Sequence, residues 1–185
     1  MLKYSITLLI LLVHLLLGGF SLPAHADRNR DPQLDHELWL KAAYLYNFTR
    51  FVKWPVTSTN SVDNLTFCVV ENYYFTVILI KTVSTRTIVD KNIRVKNVSE
   101  NDSLSDCDLL YIDQETPSLN SYYLKKIAGI TSLTVGNADS FIELGGVVRF
   151  HMIMNRLKFE INDLRAVDAG LIIDTQLLKL GRVLD

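Results

Sequence analysis

Residues 107–112 (CDLLYI), 118–127 (SLNSYYLKKI) and 131–135 (TSLTV) decide the fold of this chain. The first and third are short apolar runs with the length of buried strands. The second is an amphipathic helical pattern with Ser118 at its N-cap and Gly129 just beyond its end. A strand, a helix and a strand in that order need a crossover that lays the two strands parallel. Working upstream, residues 65–70 (LTFCVV) read as another buried strand, holding Cys68. Residues 73–82 are rich in β-branched and aromatic side chains, yet a helix after an Asn72 cap keeps the alternation of elements and is the reading adopted. Residues 88–98 alternate Ile93 and Val95 against Arg94 and Lys96, as in a partly exposed strand. The sum is an α/β protein whose mixed sheet has a parallel centre and helices on its faces.

The ends are read the same way. Asp31-Pro32 opens a helix, with Asp35 as a later start, and Leu38, Ala42, Leu45 and Val52 recur at helical spacing. Trp39, Ala43 and Tyr46 widen the stripe, and Trp54-Pro55 closes it, because proline disfavours helix in the residue before it. Residues 57–64 are a polar connection. Residues 147–154 and 157–161 form a C-terminal hairpin around Asn155-Arg156, with Val148, Phe150, Met152 and Met154 facing Leu157, Phe159 and Ile161. Arg156 is a poor second residue for such a turn. This register sets His151 opposite Glu160 on the more polar face. Asp163 then caps a short helix that Gly170 breaks, and residues 174–182 form a final helix with Leu177, Leu178 and Leu180 inward.

The N-terminus carries one charge, Lys3, then an almost wholly apolar run over residues 6–20, then Ala24-His25-Ala26. That is the order of a secretory signal cut after Ala26, and about 15 apolar residues are short of the roughly 20 that span a bilayer. The expected organisation is a signal at 1–26, a polar lead-in at 27–35 and one α/β domain at 36–185. Export to the periplasm places Cys68 and Cys107, the two cysteines of the chain, where thiols tend to pair. Removing Lys3 leaves 18 basic residues of the 19 against 20 acids, a net charge of −2. A mildly acidic domain has no long-range pull on nucleic acid.

No motif for catalysis or a cofactor emerges. G-x-S-x-G, H-E-x-x-H and a phosphate-binding glycine loop are missing from the sequence, and after export only His36 and His151 remain as histidines. His151 with Glu160 reads as a surface ion pair, with an acid–base pair or pH sensor as the alternative. A partner surface is expected where the first helix ends and the last helix lies, from Arg50, Lys53 and Trp54 with Lys179 and Arg182. The same side chains could take a small anionic or aromatic ligand, since cations beside an indole offer charge and a stacking face. The alternative is that Trp54 is core and the cations are merely solvated.

Two stretches resemble a known family. Residues 41–55 (KAAYLYNFTRFVKWP) close in the helix-then-W-P pattern of the YfiR family of small periplasmic proteins. Residues 145–180 are similar to that family's C-terminal signature: a glycine turn, a hairpin ending in F-x-I-N, and a QLLKL helix. The resemblance implies a regulator and not an enzyme: a periplasmic repressor that binds the periplasmic sensor domain of an inner-membrane diguanylate cyclase, lowers cyclic di-GMP, and forms homodimers. It also implies a disulfide between the FCVV and DCDLLYI segments, Cys68 to Cys107. A second disulfide of relatives would fall at Ile142 and Arg149, and neither is cysteine here. Whether the remaining bond is a staple or a redox switch stays open at this level. So does the alternative of a periplasmic small-ligand-binding module that relays occupancy to a membrane protein.

Overall fold

The computed structural model describes residues 32–55, 64–84 and 92–184. The signal, residues 27–31 of the lead-in, most of the 57–64 connection and the first residues of the 88–98 strand lie outside the described residues. Helix α1 (Pro32–Phe48) starts at the proline, inside the segment assigned to the lead-in. Its inward stripe is Leu38, Ala42, Leu45 and Phe48, each 5 % exposed or less. The helix stops six residues before Trp54. Thr49 turns its hydroxyl back onto the Tyr46 carbonyl at 2.6 Å, and Arg50 N and Phe51 N donate to Asn47 O and Phe48 O. These tighter bonds unwind the last turn, so Val52 sits in a short strand, β1 (Val52–Lys53), and not on the helix.

The main sheet contains β2 (Asn64–Val70), β3 (Asn92–Val98), β4 (Leu109–Ile112), β5 (Leu133–Gly136), β6 (Val148–Ile153), β7 (Arg156–Asn162) and β9 (Arg182–Leu184). Their spatial order is β3-β2-β4-β5-β6-β7-β9. The first five are parallel, β6 and β7 are antiparallel, and β9 returns parallel to β7. Helix α2 (Tyr73–Ser84) follows β2 as expected, capped by Asn72, whose Oδ1 accepts from Phe75 N at 2.9 Å. Helix α3 (Pro117–Lys126) starts one residue before Ser118, because Pro117 takes the first-turn position after Thr116.

Strand alternation builds two cores. Phe67, Val69, Leu109 and Tyr111 face the α1 and α2 side, with Phe75, Leu79 and Leu45. Cys68, Val70, Leu110 and Ile112 face the other side, with Tyr123 and Leu124 of α3 and Ile127 at its C-cap. Both faces are apolar because helices cover both.

The C-terminal part corrects the expected register. The hairpin turns at Met154-Asn155, both at positive φ (47° and 60°), not at Asn155-Arg156. Asparagine thereby takes the second turn position and Arg156, unsuited to it, becomes the first residue of β7. His151 consequently pairs with Lys158, and Glu160 pairs with Arg149, so the His151–Glu160 pair is not formed. Phe150 meets Phe159 in place of Ile161, and Val148 meets Ile161, so the apolar face is kept while its partners change. Helix α4 (Asp163–Asp168) is capped by Asn162, one residue earlier than expected, its Oδ1 accepting from Arg165 N at 3.0 Å. Strand β8 (Ile172–Ile173) pairs antiparallel with β1. The last helix, α5 (Thr175–Leu180), is capped by Asp174 and ends at Gly181. Its Leu177 is buried and Leu178 packs on the core, but Leu180 is 70 % exposed, and residues 182–184 are strand.

Candidate partner surface and the buried cysteine pair

The two cysteines are joined across a sequence separation of 39. Cys68 stands in the middle of β2 and Cys107 just before β4, both essentially unexposed in the α3-side core. The flanking acids point elsewhere. Asp106 pairs with Lys96, while the buried Asp108 carboxylate accepts from Thr66 N at 2.7 Å. The bond therefore ties two neighbouring parallel strands from inside the fold.

The residues expected at the partner surface are only partly gathered. Arg50 and Lys53 are exposed in the segment leaving α1. Trp54 is half-buried against the main core, and its indole N–H donates to Asp108 O at 3.0 Å, so it anchors that segment. The β1–β8 ladder sets Lys53 beside the exposed Ile172, and Asp174 N donates to Phe51 O at 2.7 Å. The segment after the first helix is thus paired with the segment that leads into the last. Lys179 is exposed on α5. Arg182 instead lies on β9 and turns to Glu160, at 3.1 Å. Glu160, buried between Arg182 and Arg149 (2.9 Å), is a structural carboxylate. Arg149 also reaches Asp139 at 2.7 Å. At one position where the resemblance implied a second disulfide, an arginine links the hairpin to its neighbouring loop.

Sequence reasoning missed a polar network at the C-terminal ends of the parallel strands. The sheet order reverses direction between β2 and β4, the place where α/β sheets of this kind form a crevice. There Asp113 accepts from Asn72 Nδ2 at 2.7 Å, from Tyr111 OH at 3.0 Å and from Asn137 Nδ2. Lys41 of α1 projects its buried ammonium to Glu37 at 2.6 Å and to within 4.0 Å of Asp113. Glu71 follows β2 at φ 48°, held by its N–H on Val98 O and by Tyr123 OH on its carboxylate at 2.9 Å. Burial and the Asp113 charge push the Tyr111 hydroxyl well above the usual tyrosine range, and burial with the Glu71 contact raises Tyr123 too. The signal was the polar residue after each parallel strand: Glu71-Asn72, Asp113 and Asn137. Its members satisfy one another, and Lys41 brings α1 to its edge. Among the described residues, no three acidic, histidine or cysteine side chains are grouped to hold a metal.

The YfiR/HmsC-like family model matches residues 39–182, from the first helix into β9. The chain belongs to the YfiR/HmsC-like family. A search of curated proteins finds no match. The family is one of periplasmic regulators of diguanylate cyclase signalling, regulatory and not catalytic as a family, that work with a membrane-associated signalling protein. Among the described residues, no helix is long and apolar enough to cross a membrane.

Proposed function

We propose that this YfiR/HmsC-like protein is a negative regulator that binds the periplasmic sensor domain of an inner-membrane diguanylate cyclase and lowers cyclic di-GMP. The observation carrying this reading is the family match over 39–182, which takes in nearly every described element. The proposed contact surface is the β1–β8 side with α5, which carries the exposed cations Arg50, Lys53 and Lys179 and the exposed Ile172 and Leu180, Lys53 pairing with Ile172 across the ladder. Exposed apolar side chains ringed by cations suit a protein partner. The test is capture from membrane extract by the exported protein, with and without reductant, alongside cyclic di-GMP levels in cells lacking the chain. Capture of a membrane cyclase and a rise in cyclic di-GMP are expected. Recovery of no membrane signalling protein under either condition sinks the proposal.

A second reading, a small-ligand-binding module, draws on a cleft of about 420 Å³ between α3 and α4, lined by Ile127, Thr131, Val147 and Arg165. That volume lies within the range of ligand pockets. Retention of a small anionic or aromatic molecule through purification would favour it.

A further inference from the structure

The β6–β7 hairpin overhangs the sheet. Strand β6 pairs with β5 only at Val148 and Arg149, and β7 pairs with β9 only at Glu160–Asn162. Phe150 and Phe159 at the base of the overhang stack against Tyr44 and Phe48 of α1. Beyond them Met152, Ile153 and Met154 are exposed, Met154 at 93 %. Met154 holds φ 47° at the turn, in the left-handed region that L side chains other than asparagine rarely adopt. An unbranched apolar residue thus occupies a position that backbone energetics would give to Asn or Gly, and it buries nothing within the chain.

The surroundings of this tip are cationic. Between Phe150 and Phe159 there is no acidic residue, and exposed Arg156 and Lys158 have no ion-pair partner among the described residues. The whole chain is slightly acidic, at −1, so this charge is local. An apolar wedge flanked by unpaired cations fits an anionic lipid surface: methionine and isoleucine enter the headgroup–acyl boundary while arginine and lysine stay at the phosphates. A polar protein surface would gain little from Met154, and a second copy would set like charges together.

We propose that the hairpin tip Met152–Met154, with Arg156 and Lys158, docks on the anionic surface of a lipid bilayer. This holds whether or not a cyclase is the partner. The test is flotation of the exported protein with vesicles of phosphatidylglycerol and phosphatidylethanolamine, against vesicles of phosphatidylcholine alone. Binding to the anionic vesicles alone, weakened by salt, is expected. Met154→Asn with Ile153→Thr keeps the turn and β-branching and should lower partition about tenfold, from the apolar area withdrawn. Arg156→Gln with Lys158→Gln should lower it about tenfold or more. Both variants should keep their circular dichroism and urea midpoint, since all four side chains are exposed. Absence of flotation, equal flotation on phosphatidylcholine, or flotation unchanged in the tip variant overturns the proposal. A tip variant that changes only the oligomeric state overturns it in favour of self-association.

Discussion

Tyr111 shows how one side chain can carry a pH dependence. Its hydroxyl ends β4 inside the fold, shared between Asp113 Oδ1 at 3.0 Å and Asn137 Oδ1 at 3.2 Å. Burial first, and then the Asp113 charge, raise its pKa in the folded chain above the unfolded value near 10. The fold therefore holds this proton more tightly than the unfolded chain does. That preference is fully present below pH about 10 and is lost as pH rises further, when the unfolded chain releases its proton first. Urea midpoints measured from pH 8 to 11 should fall above pH 10 in the wild type and fall less in Tyr111→Phe. Tyr123 is raised in the same direction, so the flattening will be partial. An identical fall in both proteins would refute the assignment. At this scale the cysteines were legible, because two thiols in an exported chain have few other fates. Asp108 was not, since only the fold shows that its carboxylate caps the buried Thr66 N–H.

At the scale of elements, the parallel centre was legible because each strand there is a continuous apolar run, and α2 was recovered from alternation despite its β-branched content. What failed were boundaries set by two or three residues. Strands β8 and β9 are too short to carry a period, and both exist because a distant strand accepts them. Gly181 shows the closeness of that acceptance: a Cβ there would come within 2.5 Å of the Phe159 ring. The hairpin turn lies one residue earlier than Asn155-Arg156, which moves each cross-strand partner by two residues and so keeps the same side chains on each face. Chain twist needs positive φ at both central residues, and Met154 with Asn155 supply it. Met154→Gly should relieve the left-handed methionine and stabilise the protein by about 0.5–1 kcal/mol. The check is a urea midpoint shifted upward with an unchanged slope. A lowered midpoint would mean that Met154 makes stabilising contacts.

For the whole molecule, the remaining question is whether reduction regulates this regulator directly. Cys68 and Cys107 are sealed in the α3-side core, at 0 % and 1 % exposure, so a reductant reaches them only through opening of that core. Closing a 39-residue separation is worth about 4 kcal/mol on the chain-entropy model. That is a large part of the roughly 5–15 kcal/mol that holds a domain together. The bond should therefore set how much folded protein exists, not the shape of the proposed partner surface at β1, β8 and α5, which are other elements of the fold. Cys68→Ser with Cys107→Ser should lower the urea midpoint by an amount equivalent to about 3–4 kcal/mol and reduce periplasmic yield at 37 °C more than at 20 °C. Native protein should resist reductant without urea and lose the bond in step with unfolding. Per folded molecule, the double variant produced cold should capture its membrane partner as well as the wild type. If capture per folded molecule collapses while circular dichroism is unchanged, the disulfide shapes the interface itself, and redox control acts on binding and not on folding.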